Sequence, residues 1–259
     1  MTERAAEALA RLYDLDLTED PGDLDLILAL AGRANGPVLE LAAGSGRLAV
    51  PLAEEGHEVT GVDLDEAMLG RARARADEAG GAVVRRLRLV RDDARTVRLP
   101  DAGSYRLAFL PLNSIFLMGS RADQAAAVAT LAAHLAPGGI AMVDAWLTDA
   151  DDLARYDGRV VLSWVREDPE TGRTVTKLSS ADYDATTATV LLTTIYDEGL
   201  PGEAPVRWVR SDRLRMVAPD ELAAFAEQAG LVVESLAGDY EMGDLAPGAE
   251  RVVLVAHRP

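Results

Sequence analysis

Val38–Ala53 reads VLELAAGSGRLAVPLA. Its apolar start, Val38, Leu39 and Leu41, predicts a buried strand. Gly44-Ser45-Gly46 ends that strand, and the apolar spacing from Leu48 to Leu52 predicts a helix behind the turn. Strand, glycine turn and helix in that order open a doubly wound sheet, which receives a nucleotide-like ligand at the carboxyl edge of its strands. Glycine suits the turn because a residue without a Cβ accepts positive φ and lets a ligand approach the backbone closely.

Gly44-x-Gly46-x-x-Ala49 satisfies the relaxed dinucleotide pattern, so an NAD(P)-dependent oxidoreductase is the reading to be beaten. Outward from the turn, Glu58–Asp63 (EVTGVD) predicts a second apolar strand with an acid at its tip. Asp63 lies nineteen positions after Gly44, a spacing suited to gripping ribose hydroxyls in either class. Two features turn against the dinucleotide. Glu40 lies inside the first strand, where such folds usually place an aliphatic residue. A third strand, Arg86–Arg91, runs into Asp92-Asp93-Ala94-Arg95, an acidic tip suited to an adenine amino group.

On these residues the chain resembles the class I S-adenosylmethionine (SAM)-dependent methyltransferases. Glu40, Gly44 and Gly46 match that family's glycine-rich motif, Asp63 its ribose acid and Asp93 its adenine acid, with Asp92 as the competing neighbour. The resemblance continues through Phe109–Ser114 (FLPLNS) and His134–Trp146 (HLAPGGIAMVDAW), covering residues 36–147 and, more loosely, 218–257. Ala42 departs from the pattern, standing where the family commonly has its first glycine. The resemblance implies SAM as cofactor and S-adenosylhomocysteine as product. It implies cofactor contacts at Tyr13, Glu40, Ala42, Gly44, Gly46, Arg47, Asp63, Leu64, Met68, Asp93, Ala94 and Leu110. Arg47 reads equally as a ligand of the SAM carboxylate or as a surface residue. Leu64 would cover an adenine face, and Met68 reads equally as core or contact.

Composition bounds the partners. The 259 residues carry 26 basic and 43 acidic side chains, net −17, a field that repels polyanions and draws in a cationic cofactor. Nucleic acid is therefore not the expected partner. No apolar run of membrane-spanning length and no basic-then-apolar leader is present, so a soluble, cytoplasmic protein is expected, away from membranes. With no cysteine, thiolate catalysis and cysteine-ligated zinc drop out. His57, His134 and His257 lack metal-ligand spacing and read as structural, and no metal is expected.

The remaining chain predicts helices at Thr2–Leu12, Leu24–Arg33, from Asp65 as N-cap to Gly80-Gly81, and over Arg121–Leu135 until Pro137-Gly138-Gly139. From Arg159 the texture becomes β-branched and alternating. Arg159–Arg166, Thr174–Tyr183, Thr189–Tyr196 and Val206–Met216 predict an antiparallel meander inserted after the fifth strand. A helix from Pro219 to Gly230 and strands Leu231–Leu236 and Arg251–Ala256 close the fold. The expected architecture is α/β: a Rossmann-like, seven-stranded, mostly parallel sheet with helices on both faces, plus the meander. Residues 1–158 and 217–259 would form the cofactor domain, and 159–216 a substrate cover whose exposed edges also suit a homodimer.

Tyr13-Asp14, Gly44-Ser45-Gly46-Arg47, Pro111-Leu112-Asn113-Ser114, the meander and Gly238-Asp239-Tyr240 together resemble the subgroup that N-methylates amino sugars and small amines. That resemblance implies transfer of a methyl group to a small-molecule N- or O-nucleophile, nitrogen preferred, by in-line displacement. Tyr13, Asn113 and Trp146 are the expected catalytic groups, with Asp144 and Tyr240 also on the acceptor side. Phosphate-bearing acceptors would need a basic cluster such as Arg207 with Arg210. A SAM-binding protein that transfers no methyl group is the other alternative.

Overall fold

The computed structural model describes residues 2–18 and 21–259. The chain divides into two compact units. Helix α1 (Glu3–Asp16) belongs to the smaller one, taken second.

The larger unit spans residues 21–147 and Val217–Pro259. Its elements are α2 (Asp23–Ala34), β1 (Val38–Leu41), α3 (Ala49–Glu54), β2 (Val59–Asp63), α4 (Glu66–Ala79), α5 (Gly81–Arg86) and β3 (Leu87–Arg91). They continue with β4 (Tyr105–Leu110), a 3₁₀ turn (Ser114–Met118), α6 (Arg121–His134) and β5 (Leu135–Trp146). With β10 (Val232–Ala237) and β11 (Arg251–His257), which come last in the chain, the strands form one seven-stranded sheet in the order β10-β11-β5-β4-β1-β2-β3. Only β11 runs antiparallel to its neighbours β5 and β10. This is the expected mostly parallel sheet. All four residues of β1 are buried, as suits a strand covered on both faces, and Phe109, Met142 and Val253 extend the same core along β4, β5 and β11.

Local chemistry explains where the helices begin. The Asp65 side chain accepts from the Ala67 amide at 2.9 Å and caps α4, whose buried Met68, Leu69, Ala72 and Ala76 recur at helical spacing. Helix α8 (Pro219–Gln228) starts with proline at its first turn. Two predicted stops behave differently. Gly80 has φ 107° and ψ 168°, outside the left-handed helical region, and α5 begins at once behind it. Helix α6 ends at His134, and β5 runs straight through Pro137-Gly138-Gly139 with a register shift against β4. A Cβ at Gly139 would lie 2.9 Å from the Tyr105 carbonyl oxygen, so the glycine there permits close strand approach and does not break the strand. His134 is structural: it is buried, with Nε2 accepting from the Leu99 amide at 3.1 Å.

The smaller unit holds α1, α7 (Ala150–Arg155) and the four-stranded antiparallel sheet β6 (Asp157–Glu167), β7 (Thr174–Asp184), β8 (Thr189–Gly199) and β9 (Val206–Arg215), in that spatial order. The meander is therefore a separate sheet. Helix α1 runs four residues beyond the predicted Leu12, because Leu15 joins Leu9 and Leu12 in an apolar cluster with Val175 and Tyr196, flanked by Trp164 and Trp208. Ionic contacts fix the same face. Arg11 pairs with Asp168 and, at 2.5 Å, with Glu198; Lys177 pairs with Asp16, which also accepts from the Trp164 indole at 2.7 Å. The predicted division at residues 158 and 159 left the N-terminal helix with the cofactor domain; this packing groups α1 and α7 with the meander.

Candidate functional site

Three residues of the first turn adopt left-handed backbone: Ala42 (φ 57°), Gly44 (φ 54°) and Gly46 (φ 75°). Only the glycines do so without a steric cost. Gly46 also lies against α4, where an added Cβ would sit 3.0 Å from the Ala72 Cβ and 3.3 Å from its Cα. Ala42 carries its methyl group at positive φ, so the departure noted in the sequence is a strained position, costing about 1–2 kcal/mol relative to a right-handed residue.

Asp63 braces this turn from the neighbouring strand. Its Oδ2 accepts from the Gly44 amide at 2.8 Å, and its Oδ1 from the Asp65 amide at 2.8 Å. Burial pushes the Asp63 carboxyl above its ordinary value, and those two amide donors pull against it. Each oxygen retains a second lone-pair direction for a hydroxyl donor. Leu64, next along after the last residue of β2, is 61% exposed. Met68 is buried, its Cε 3.5 Å from where a Gly44 Cβ would stand; the structure places it in the core beneath the turn.

Glu40 is the unusual group. It is buried in β1, and desolvation drives its carboxyl well above the usual carboxylate value. Arg47 opposes that shift, while Asp23 and Asp63 add to it. Among the described residues its Oε2 has no hydrogen-bond partner. A buried acceptor without a donor costs about 1–3 kcal/mol and calls for a partner. Arg47, one turn away, makes two bonds to Asp23, Nη1 to Oδ1 and Nη2 to Oδ2, both at 2.6 Å. Asp23 is fully buried. Nothing in the local sequence marks Asp23 as part of this site, since an acid after Pro-Gly at a helix start ordinarily faces water.

After β3, Asp93 is held by its own neighbour. Its carboxylate accepts from the Arg95 amide at 2.9 Å and from the Arg95 guanidinium at 2.5–3.1 Å. Those bonds hold the Asp93 carboxyl below the usual range. Asp92 is exposed and accepts from the Asp93 amide; Ala94 is buried.

A second knot closes the edge at β4 and β5. Leu110 is fully buried, so its side chain belongs to the core. The chain then turns through Leu112 (φ 50°) and Asn113 (φ 62°), two consecutive left-handed non-glycine residues. Buried Asp144 holds that turn by accepting from the Leu112 amide at 2.7 Å, and it also accepts from the Tyr240 hydroxyl at 2.9 Å and from Arg251. The Arg251 guanidinium stacks 4.3 Å from the Tyr240 ring centroid. Burial, then the Asp144 charge, pushes the Tyr240 phenol far above its ordinary value, and burial also raises the Asp144 carboxyl. Asp144 and Tyr240, expected on the acceptor side, are thus a structural knot whose donors and acceptors are committed to each other. Asn113 Oδ1 accepts from the Trp146 amide at 2.5 Å, which leaves the Asn113 amide nitrogen as the end it can offer a ligand. The Trp146 side chain is 53% exposed.

Tyr13 lies in α1 of the smaller unit, half-buried. Arg207 and Arg210, considered together as a basic cluster, occupy opposite faces of the meander. Each meets an acid there, Asp197 at 2.6 Å and Asp212 at 2.7 Å respectively.

The larger unit therefore brings Glu40, Ala42, Gly44, Gly46, Arg47, Asp63, Leu64 and Met68 around one turn. It presents a buried unpartnered carboxylate oxygen, a second carboxylate with lone pairs to spare and an exposed aliphatic face. These suit a ligand with an ammonium group, a vicinal diol and a flat base, the functional groups of SAM.

Residues 38–139 match the family model of a methyltransferase domain. The dTDP-3-amino-3,4,6-trideoxy-alpha-D-glucopyranose N,N-dimethyltransferase of Streptomyces venezuelae is 30% identical over 168 residues, 59% of this chain and 66% of that relative. The chain spans 31% and 30% of two further curated relatives, so each match falls short of two thirds of the relative's length. The CcbJ methyltransferase from Streptomyces caelestis shares the fold with a TM-score of 0.76 at 22% identity, over 93% of this chain and 97% of that one. The sugar N-methyltransferase KedS8 from Streptoalloteichus does so with a TM-score of 0.74 at 21% identity, over 95% and 92%. Turn geometry and sheet order agree with the family match, so residues 38–139 are similar to a methyltransferase domain in both sequence and fold.

Proposed function

We propose that this chain transfers the methyl group of SAM to an amino group on a small molecule, with an amino sugar as the leading acceptor class. The observation that carries the cofactor half is Glu40 Oε2, a buried acceptor beside the glycine turn with no partner among the described residues. The acceptor half is supported by the similarity to an amino-sugar N,N-dimethyltransferase and by the acidic field, which favours cationic and neutral acceptors over polyanions.

Bound SAM supplies a methyl carbon already activated by its sulfonium. The residues of this chain have to hold and align. Glu40 accepts from the ammonium end, Asp63 from the ribose hydroxyls, and Leu64 covers the base. Alignment of two reactants contributes about 7–11 kcal/mol. Deprotonating an amine three units above ambient pH costs only about 4 kcal/mol, so a strong general base is not required. Asp144 and Tyr240 are poorly suited to that role, each being bonded to the other. Asn113 can orient an acceptor through its amide nitrogen, and Trp146 can stack on a cation, worth about 0.5–2 kcal/mol.

The test is S-adenosylhomocysteine release over a panel of amino sugars, free and nucleotide-linked, simple amines and phenols, beside calorimetry with S-adenosylhomocysteine and NAD(H). Release with amines supports the reading. Release with phenols alone moves the acceptor to oxygen. Nicotinamide binding with no response to S-adenosylhomocysteine replaces it with an oxidoreductase, and S-adenosylhomocysteine binding without turnover on any acceptor replaces it with a binding protein. Tyr13→Phe asks separately whether that hydroxyl takes part.

A further inference from the structure

Arginine is unevenly spread along the chain. Residues 71–98 hold nine of the 26 basic side chains and only four of the 43 acidic ones. Three of these arginines, Arg85, Arg86 and Arg88, converge on one cavity of about 250 Å³. Glu58, Thr60, Asp101 and Tyr105 complete its polar lining. The cavity lies at the amino ends of the strands, where Val59 and Thr60 begin β2, Leu87 and Arg88 begin β3, and Tyr105 begins β4. Asp63 ends β2 four residues beyond Val59, about 13 Å away, so the cavity is at the opposite edge of the sheet from the glycine turn.

Part of the lining is committed. Arg88 Nη2 donates to the two Asp101 carboxylate oxygens at 2.8 and 2.9 Å and to the Tyr105 hydroxyl at 2.6 Å, and its Nε donates to Thr60 Oγ1 at 3.2 Å. The Tyr105 hydroxyl donates to Thr60 Oγ1 at 3.0 Å. That network has one open donor, Arg88 Nη1, which bonds nothing among the described residues. The other wall differs. Arg86 makes one long bond, from Nη1 to the Ala53 carbonyl at 3.5 Å, and Arg85 makes none among the described residues. Basic side chains in the last turn of a helix ordinarily serve its own final carbonyls, and these two do not. Glu58 lines the same cavity and, among the described residues, pairs with neither of them. In a chain so rich in acids, two adjacent guanidiniums are thus left facing a cavity with no carboxylate to neutralise them.

We propose that this cavity binds a small phosphomonoester. Arg85, Arg86 and Arg88 Nη1 meet the phosphate oxygens, and Glu58 accepts from a hydroxyl or ammonium group at the other end of the ligand. The planar donor fork of a guanidinium matches phosphate geometry. Three of them together offset locally a net charge of −17 that otherwise repels anions. Glu58 argues against a bare anion, because its carboxylate disfavours phosphate unless the ligand also brings a donor for it. The volume falls below the roughly 300–1,000 Å³ of sites for drug-sized ligands, which suits a sugar phosphate or a phosphorylated amine and leaves no room for a dinucleotide.

Calorimetry on the full chain tests this with inorganic phosphate, glucose 1-phosphate and O-phosphoethanolamine, each with and without saturating S-adenosylhomocysteine. One monoester should bind at least about tenfold more tightly than inorganic phosphate, and S-adenosylhomocysteine should leave that affinity unchanged. Glucose 1-phosphate in the lead identifies a sugar hydroxyl as the partner of Glu58; phosphoethanolamine in the lead identifies an ammonium. Arg85→Gln with Arg86→Gln should weaken the monoester at least about tenfold. Arg33→Gln with Arg73→Gln removes as much charge from two exposed ion pairs elsewhere and should change nothing. Arg85 is exposed, so Arg85→Gln alone keeps the test open should the double variant fail to fold. Glu58→Gln should erase the advantage of the monoester over inorganic phosphate. No monoester binding at millimolar concentration overturns the proposal, as does binding that the arginine pair leaves intact or that the control pair weakens equally. Inorganic phosphate binding as tightly as either monoester overturns the ligand class, and an advantage that survives Glu58→Gln overturns the role of Glu58. Displacement by S-adenosylhomocysteine moves the ligand to the glycine turn and overturns the site. None of these outcomes depends on which acceptor is methylated.

Discussion

Arg47 holds Asp23 through two parallel bonds of 2.6 Å, although Asp23 is fully buried and Arg47 reaches water at its edge. The pair ties the start of α2 to the far side of the glycine turn. Arg47 would therefore meet a ligand carboxylate as a guanidinium already bonded to a buried acid.

The two partners should be unequal when removed. Arg47→Ala strands the Asp23 carboxylate in the interior and is expected to cost about 3–5 kcal/mol of stability. Asp23→Ala is expected to cost less, because Arg47 can turn toward solvent. Urea unfolding of both variants checks this; equal losses would show that the pair is not asymmetric in burial.

The glycine turn gives a prediction of opposite signs. Ala42→Gly relieves a left-handed alanine and should raise stability by about 0.5–1 kcal/mol after the glycine's own chain entropy is subtracted. Gly46→Ala meets both positive φ and the Ala72 backbone, and should lower stability by about 2–4 kcal/mol. Gly32→Ala, with open space around it, is the control and should be neutral or gain up to about 1 kcal/mol. Melting temperatures of the three variants decide it.

Glu40 links pH to both stability and binding. Its carboxyl is raised in the folded chain by burial, so the folded state binds the proton more tightly than the unfolded one. Its contribution to stability is present below the unfolded value and is lost as pH rises toward the raised folded value. Ligand binding should move the other way, strengthening as Glu40 ionises to meet the ammonium. Glu40→Gln is expected to make the ligand-free protein more stable at pH 8 and to weaken S-adenosylhomocysteine binding about ten- to a hundredfold. Calorimetry between about pH 5 and 8 should show the parent's affinity rising and the variant's flat. A variant as pH-dependent as the parent would falsify the assignment.

Asp144 should prove structural. Asp144→Asn removes the charge that Arg251 and the Leu112 turn share, and is expected to cost about 3 kcal/mol. Tyr240→Phe deletes one hydrogen bond and should cost about 1 kcal/mol. If instead Asp144→Asn folds as stably as the parent and loses turnover alone, Asp144 acts on the reacting groups.

What was legible in the sequence follows from the physics of each position. Asp63 could be found because strand period and turn length fix its distance from Gly44, and the structure joins the two by a hydrogen bond. The meander was legible because alternation and β-branching persist over four segments. Asp23 was not, since burial of an acid beside Pro-Gly depends on an arginine distant in sequence. Helix α5 was hidden by Gly80-Gly81, which carries the signature of a stop, and the association of α1 with the meander rests on Leu9, Leu12 and Leu15 finding Val175 and Tyr196, a long-range fit with no local signal.

Lys177 supplies the only side-chain amine in the sequence, and its ammonium is bound to Asp16 at the end of α1. Acylating reagents need that amine unprotonated and out of its ion pair. The rate at which they label this side chain therefore measures how often the N-terminal helix lifts from its sheet. A single mass increment on one tryptic peptide reads it out, in a chain whose other tryptic cleavage sites are all arginines.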